Sequence, residues 1–206
     1  MSTDLARWTT TWRGLEGRAD PELYEQLVAR YSERGRHYHA LAHLDECFER
    51  LDEFPESVDH LHEIELAIWF HDAVYDAHRS DNEKRSAAWL RREALRLGVA
   101  ADAVERIHAL ILATKHDAAA TTRDAQLIVD VDLSILGAPP ERFDEYEQQV
   151  RREYAWVPGF LFRRKRRKIL GGFLARPSIF STDYFRAKYE AAARDNLRRS
   201  IGALSG

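Results

Sequence analysis

One stretch of the chain, residues 64–74, is apolar on almost every face that a helix would present. Residues 66–70 read Leu-Ala-Ile-Trp-Phe without a polar interruption. Such a helix is stable where other helices cover it on all sides, so this stretch predicts the centre of a helical bundle. It also carries the ionisable pair His71 and Asp72. Burying polar groups without partners costs on the order of several kcal/mol, and a metal ion bound by both side chains is one way to offset that cost.

The rest of the chain is also helical in pattern, and the fold class predicted is all-α. Apolar residues recur with a period near 3.6, and β-branched clusters such as Ile128 and Val129 lie inside helical contexts. No repeat or Pro- or Ser-rich linker marks a boundary. We therefore expect a single domain over 1–206, in which 1–35 and 160–206 are helical extensions packed on the core. Further predicted helices begin near Asp4 and cover about 21–34 (ended by Gly35), 40–51, 82–97, 101–115, 122–136, 141–154, 160–174 and 184–204.

Composition narrows the possible partners. With 31 basic and 34 acidic residues the formal net charge is -3, so no global field attracts nucleic acid or an anionic membrane. The single cysteine, Cys47, has no second cysteine in the chain with which to form a disulfide. The N-terminal residues lack the apolar run of a secretory signal, and no window approaches the roughly 18 apolar residues of a membrane span. We expect a cytoplasmic protein that does not contact membranes.

A second chemically suggestive element is the segment 36–43, Arg-His-Tyr-His-Ala-Leu-Ala-His. His39 and His43 are four residues apart, which places both imidazoles on one face if the segment is helical. They can bind one ion together, or one can bind it while the other donates a proton to a leaving group. The alternative is a solvent-facing helix start with ordinary histidines.

The third element is an apolar segment, 127–135, that contains Asp130 and Asp132. Two residues apart on a helix, their side chains point to different faces, so only one is expected at a shared site. For the pair His71 and Asp72 an alternative also stays open: His71 bonded to a backbone carbonyl and Asp72 capping a neighbouring helix.

Taken together, these elements resemble the HD superfamily of metal-dependent phosphohydrolases, whose signature is a histidine, a later His-Asp doublet and a further aspartate. The closest resemblance is to a branch of small, single-domain HD hydrolases and extends over about residues 36–197. The motifs that carry it are Tyr-His-x-Leu-x-His at 38–43, Trp-Phe-His-Asp-Ala-Val-Tyr-Asp at 69–76, Asn82-Glu83 with Ser86-Ala87, Asp-Leu-Ser-Ile-Leu-Gly at 132–137, Arg-Glu-Tyr at 152–154, and Glu190, Arg194, Asn196 and Leu197.

The resemblance implies an HD-domain-like helical bundle that hydrolyses a small phosphate ester or nucleotide through a metal-activated water. It implies that His43, His71, Asp72 and Asp132 bind one divalent ion, which could be Mn, Mg, Co, Ni, Zn or Fe. Asp72 or Asp132 could also orient the attacking water. By analogy with cyclic-nucleotide phosphodiesterases, which have a similar Tyr-His-x-x-x-His arrangement, His39 is the expected general acid.

Some members of the superfamily bind a second ion through histidines between the doublet and the last aspartate, where this chain has His108 and His116. Eight residues of helix span roughly 12 Å, which is too far for two ions about 4 Å apart, so one ion is expected. Lys115, His116 and Arg152 are candidates for binding substrate phosphate, although Lys115 and His116 can equally be favourable charges at a helix C-terminus. Glu83 is a candidate partner for a ligand histidine or the substrate, or a simple helix N-terminal charge.

A basic run, Arg-Arg-Lys-Arg-Arg-Lys at 163–168, departs from the family pattern. Six consecutive cations wrap around a helix, so either the run is a solvated surface or one or two members reach an anionic substrate. Nucleic acid is not expected as a partner, because no stacking aromatics are interleaved with the cations. Two other functions remain open, an HD-type iron oxygenase and a nucleotide-binding module without turnover. The sequence leaves the substrate and a homo-oligomeric state open.

Overall fold

The computed structural model describes residues 3–205, which fold entirely into helices, turns and loops, with no strand among them. The all-α prediction is confirmed. The contacts divide the chain into two compact units, Met1–Val129 and Asp130–Gly206, with the boundary inside one helix. The expected single domain stays a prediction. Within the described residues the α-helices are α1 (Leu5–Gly14), α2 (Pro21–Tyr31), α3 (Leu41–Asp52), α4 (Leu61–Phe70), α5 (Asn82–Arg96), α6 (Ala101–Ala113), α7 (Arg123–Leu133), α8 (Pro140–Glu153), α9 (Gly159–Leu174) and α10 (Asp183–Ala203).

Local capping signals set several of these boundaries. The Asp4 carboxylate accepts a hydrogen bond from the Arg7 amide at the start of α1. The Asp20 carboxylate accepts from the amides of Glu22 and Leu23 at the start of α2. This helix has proline at its first position, as the sequence predicted. The expected end of α2 at Gly35 is wrong, because the helix stops at Tyr31. Residues 32–34 add no further periodic apolar position, so nothing in the core holds a fourth turn.

In the first unit α4 is the central helix, with α1, α3, α5 and α6 packed around it. Every residue from Glu63 to Phe70 is buried. Trp69 lies 5.4 Å from Trp8, measured between ring centroids, and 5.1 Å from Phe48. The central position predicted from the apolar stretch is therefore confirmed.

Two acids on α4 are also buried, and each is paired. Glu63 accepts hydrogen bonds from the Arg106 guanidinium at 2.6 to 3.2 Å. Glu65 accepts from the Thr11 hydroxyl at 3.0 Å and from Arg7 at 2.9 Å. Because these carboxylates already have charged or hydroxyl donors, they belong to the packing of the bundle.

The second unit contains α8, α9, α10 and a 3₁₀ turn, Ser134–Gly137, that packs against α8 and α10. The turn approaches α10 so closely that residue 137 has no room for a side chain, because a Cβ at Gly137 would lie 2.7 Å from the Tyr189 backbone oxygen. The Asn196 side chain donates to the carbonyls of Leu136 and Ala138, both at 2.9 Å. This amide ties the turn to α10.

Among residues 3–205 the structure contains no helix that is both long and apolar enough to cross a membrane.

Candidate metal centre

The pair His71 and Asp72 lies directly after the last residue of α4. His71 keeps helical backbone angles as the C-cap, and its amide donates to the Ala67 carbonyl at 2.8 Å. Its ring Nδ1 lies 2.8 Å from the Ile68 carbonyl oxygen. Since a carbonyl only accepts, Nδ1 carries the proton, and the lone pair of a neutral His71 is on Nε2. A bond to a backbone carbonyl, one of the two alternatives from sequence, thus also prepares the ring to bind a metal.

His43, on the first turn of α3, faces His71. The two Nε2 atoms are 3.2 Å apart, and each side chain is almost wholly buried. The Asp72 Oδ2 atom is 3.1 Å from His71 Nε2 and 3.8 Å from His43 Nε2. Ligand atoms about 2.1 Å from one ion are separated by about 3.0 to 3.4 Å in octahedral or tetrahedral geometry. The separations of 3.1 and 3.2 Å match that spacing, and the third, 3.8 Å, is longer.

Cys47 adds a sulfur to the same place. It is one helical turn after His43, and Sγ lies 3.7 Å from His43 Nε2 and 3.8 Å from Nδ1. Ligand atoms of His43, Cys47 and His71 all lie within 4.8 Å of one another. The sequence reasoning considered Cys47 only for disulfides and missed this position. The i, i+4 spacing from His43 was the signal that could have found it.

The electrostatics of this group act mainly on Asp72. Burial alone would raise the pKa of Asp72, but the neighbouring His71, His39 and His43 outweigh it and hold that pKa below its usual range. Asp72 is therefore a carboxylate at neutral pH. It and His43 Nε2 both approach the single lone pair of His71. A proton on His71 Nε2 can be donated to only one of these two neighbours, whereas a metal ion can bind all three side chains, so the residues fit a metal.

The loop that carries Asp72 is fixed by two residues that the sequence reasoning did not single out. Arg36, which is buried, donates to the backbone oxygens of Asp72 at 2.5 Å and Ala73 at 3.0 Å. The Tyr31 hydroxyl donates to the Trp69 carbonyl at 3.2 Å and accepts from the Asp72 amide at 3.3 Å. Carbonyls at a helix C-terminus lack intrahelical donors, so an arginine next to the histidine motif was an available signal.

His39 lies before α3, which begins at Leu41, so its expected position on a helical face shared with His43 is wrong. The turn nevertheless brings the two ring centroids to 6.1 Å. The His39 ring is stacked on Tyr75 at 4.2 Å and is partly exposed. It is thus close to the buried ligands and accessible to solvent, although its catalytic role stays a prediction.

The two aspartates of α7 differ in their surroundings. Asp130 is buried, and its carboxylate accepts from the amides of Ser181 and Thr182 at 2.7 to 3.1 Å and from the Thr182 hydroxyl at 2.8 Å. This places Asp130 as an anchor for the start of α10. Asp132 is partly exposed and belongs to the second unit. Its role as the fourth ligand stays a prediction.

The proposed substrate-binding residues are spread more widely. Lys115 and His116 lie just beyond α6, which ends at Ala113, and Lys115 pairs with Asp117. That hydrogen bond, with a smaller contribution from Glu83, raises the pKa of Lys115. Arg152 is exposed on α8. The substrate-binding roles of these residues stay predictions.

Within the basic run only Arg166 is buried. It pairs with Glu147 and lies over the Tyr146 ring, 5.0 Å from the centroid. The other five cations are exposed. One arginine of the run therefore packs the second unit, and the rest form a solvated surface.

Comparisons with family models, with curated proteins and with solved structures give no match to this chain. What the structure itself establishes is an all-helical fold with a buried group of histidine, cysteine and aspartate side chains that could hold a metal ion.

Proposed function

We propose that the protein is a metal-dependent phosphohydrolase that acts on a small phosphate ester or a nucleotide. The observation that carries the proposal is the convergence of His43 Nε2, His71 Nε2 and Asp72 Oδ2 within 3.8 Å of one another. Two imidazoles and a carboxylate are ligands suited to a divalent ion such as Mn, Co, Ni, Zn or Fe. The order of the motifs along the chain, which resembles the HD superfamily, supports phosphate esters as the substrate class.

His43, His71 and Asp72 would hold the ion, and Asp132 is proposed as the fourth ligand. When bound, the ion supplies Lewis-acid activation of water and charge neutralisation at a phosphoryl oxygen. The chain supplies the orientation. The bond from His71 to the Ile68 carbonyl keeps Nε2 directed at the site, and Arg36 and Tyr31 hold the backbone of Asp72.

His39 is proposed as the general acid that protonates the leaving oxygen. A general acid must reach solvent or substrate, and His39 is partly exposed while the ligand histidines are buried. Its stacking on Tyr75 restrains the ring, and its backbone oxygen accepts from Arg36 at 3.3 Å. The same arginine therefore positions both the general acid and the aspartate ligand.

The test combines metal analysis with a panel of phosphate esters and nucleotides. The purified protein should bind about one equivalent of Mn, Co, Ni or Zn and release inorganic phosphate. His71→Ala should lose both properties. His60→Ala is the matched control, because His60 is exposed and bonded to Asp124 at 2.8 Å.

Two results would overturn the proposal. One is a protein without stoichiometric metal whose phosphate release no added divalent ion restores. The other is a metal-loaded protein that hydrolyses none of the phosphate esters or nucleotides in the panel, or that holds two irons and consumes oxygen.

A further inference from the structure

A groove of about 430 Å³ lies between α2 and α5 of the first unit. Its volume falls in the range of small-molecule sites, about 300 to 1,000 Å³. We propose that it binds a nucleotide, at a site distinct from the metal centre. None of the metal-ligating residues lines it. The lining residues that carry the argument are Gln26 and Arg30 of α2, Arg85, Trp89 and Arg92 of α5, and Val74 from the loop after α4.

Helical spacing explains why these side chains share one groove. Arg85, Trp89 and Arg92 are separated by four and three residues, so they lie on one face of α5. Gln26 and Arg30, four residues apart, lie on one face of α2. The two faces together present three guanidiniums, an indole and an amide to the same space.

Arg30 and Arg92 keep donors for an anion, because their neighbouring carboxylates, which other arginines also contact, accept from only part of each guanidinium. Glu33 accepts from Arg30 at 3.0 Å but also from Arg36 at 3.3 Å. Glu93 likewise accepts from Arg92 at 2.9 Å and from Arg96 at 2.7 Å. A guanidinium has five N–H donors and prefers planar, bidentate contacts with phosphate oxygens.

Arg85 also has donors available, because the Asp81 carboxylate has another arginine as its main partner. Arg85 helps to lower the pKa of Asp81, but the larger contribution comes from Arg79, which bonds that carboxylate at 2.7 and 2.8 Å. Arg85 therefore adds positive charge to the groove without a carboxylate of its own. A ligand with two or more anionic oxygens suits this set of cations.

Trp89 supplies the argument for an aromatic base. Its ring is partly exposed and is held edge-on by Phe70, with centroids 5.6 Å apart and planes at 82°. The Arg30 guanidinium lies 6.0 Å from the Trp89 centroid. An aromatic base can stack on an indole held in this way, while the phosphates meet the arginines. A nucleotide satisfies both halves of the groove at once.

Calorimetric titration of the full chain with ADP in EDTA at low ionic strength tests the proposal. EDTA removes divalent ions, so the result is independent of the proposed phosphohydrolase function. ADP should bind at one site, with adenosine and tripolyphosphate each at least about tenfold weaker, because each lacks half of the contacts. Arg85→Gln, Arg92→Gln and Trp89→Ala should each weaken ADP binding about tenfold.

Arg91→Gln is the matched control on the same helix. Arg91 pairs with Glu105 at 2.8 Å and does not line the groove, so its loss should change ADP binding less than about twofold. Thermal melting of each variant checks that it is folded. The proposal is overturned if ADP does not bind, if Arg91→Gln weakens binding as much as Arg92→Gln, or if tripolyphosphate binds as tightly as ADP.

Discussion

The two units use buried polar side chains in opposite ways. In the second unit, buried polar side chains bond to backbone groups of the opposite type. The Asp130 carboxylate accepts hydrogen bonds from backbone amides, and the Asn196 amide group donates to backbone carbonyls. In the first unit, Asp72 Oδ2 and His43 Nε2 both lie near His71 Nε2, at 3.1 and 3.2 Å. Buried polar groups that meet complementary backbone groups stabilise a fold, whereas side chains whose nitrogen and oxygen atoms converge on one point can share a cation. This contrast separates polar residues that stabilise the fold from a group that could hold a metal ion.

Glu190 and Arg194 extend the structural side of the contrast. Glu190 accepts from the amides of Ile179 and Phe180 at 3.0 to 3.2 Å and from Arg194 at 2.7 Å. Arg194 in turn donates to the carbonyl at the C-terminus of α9 and to two carbonyls in the segment between α9 and α10. The sequence motif that contains these residues thus holds a loop of the second unit together.

The largest effect is expected from Asp72→Asn. Amide substitution removes the charge that the ion requires, so phosphate-ester hydrolysis should fall by about 1,000-fold, equivalent to about 4 kcal/mol. In EDTA at pH 8 the free energy of unfolding should change by less than about 1 kcal/mol. Kinetics and urea titration measure the two quantities. A large loss of metal-free stability would mean that Asp72 is structural after all.

Metal removal should have the next largest effect. An ion present at 100 times its dissociation constant stabilises the folded state by about 2.7 kcal/mol. EDTA should therefore lower the melting temperature of the wild-type protein, and calorimetric scanning should show no such shift for His71→Ala. An equal shift in both proteins would place the ion elsewhere.

Glu190→Gln should cost about 2 kcal/mol of unfolding free energy at neutral pH, since its charged hydrogen bonds weaken. Burial raises the pKa of Glu190, but the amides of Ile179 and Phe180 and the Arg194 guanidinium outweigh burial and lower it. A lowered folded pKa means that the stabilisation is complete above the unfolded pKa of about 4.3 and is lost as the pH falls through the folded value.

The difference between wild type and Glu190→Gln should therefore narrow below about pH 4, as measured by urea titration across pH. Glu145→Gln is the control, because Glu145 is exposed on α8 and accepts from Gln149 at 3.1 Å. It should cost less than about 0.5 kcal/mol. A pH-independent cost for Glu190→Gln would contradict a role for its charge.

The smallest effect is expected from Arg163→Gln in the exposed part of the basic run. The side chain is at the surface of α9, so the free energy of unfolding should change by less than about 0.5 kcal/mol. Denaturant titration measures it. A cost near that of Glu190→Gln would place Arg163 among the structural polar residues with Arg166.

Much of the fold was predictable because its signals are local. The caps at Asp4 and Asp20, Pro140 at the start of α8 and the apolar stretch of α4 each act within one or two helical turns. The site was predictable in part. His43, His71 and Asp72 do come together, but His39 lies outside the helix on which its spacing was interpreted. A four-residue spacing places two side chains on one face only when both residues lie inside a helix, and α3 begins two residues after His39.

By itself the sequence determined the helices, the burial of α4 and the residue types available to bind a metal, because periodicity and capping depend on neighbours along the chain. Only the tertiary structure decided that His43 and His71, 28 residues apart, meet at 3.2 Å, that Cys47 joins them and that Arg36 reaches the backbone after α4. Those contacts depend on how α3 and α4 pack, and packing is set by side chains distant in sequence.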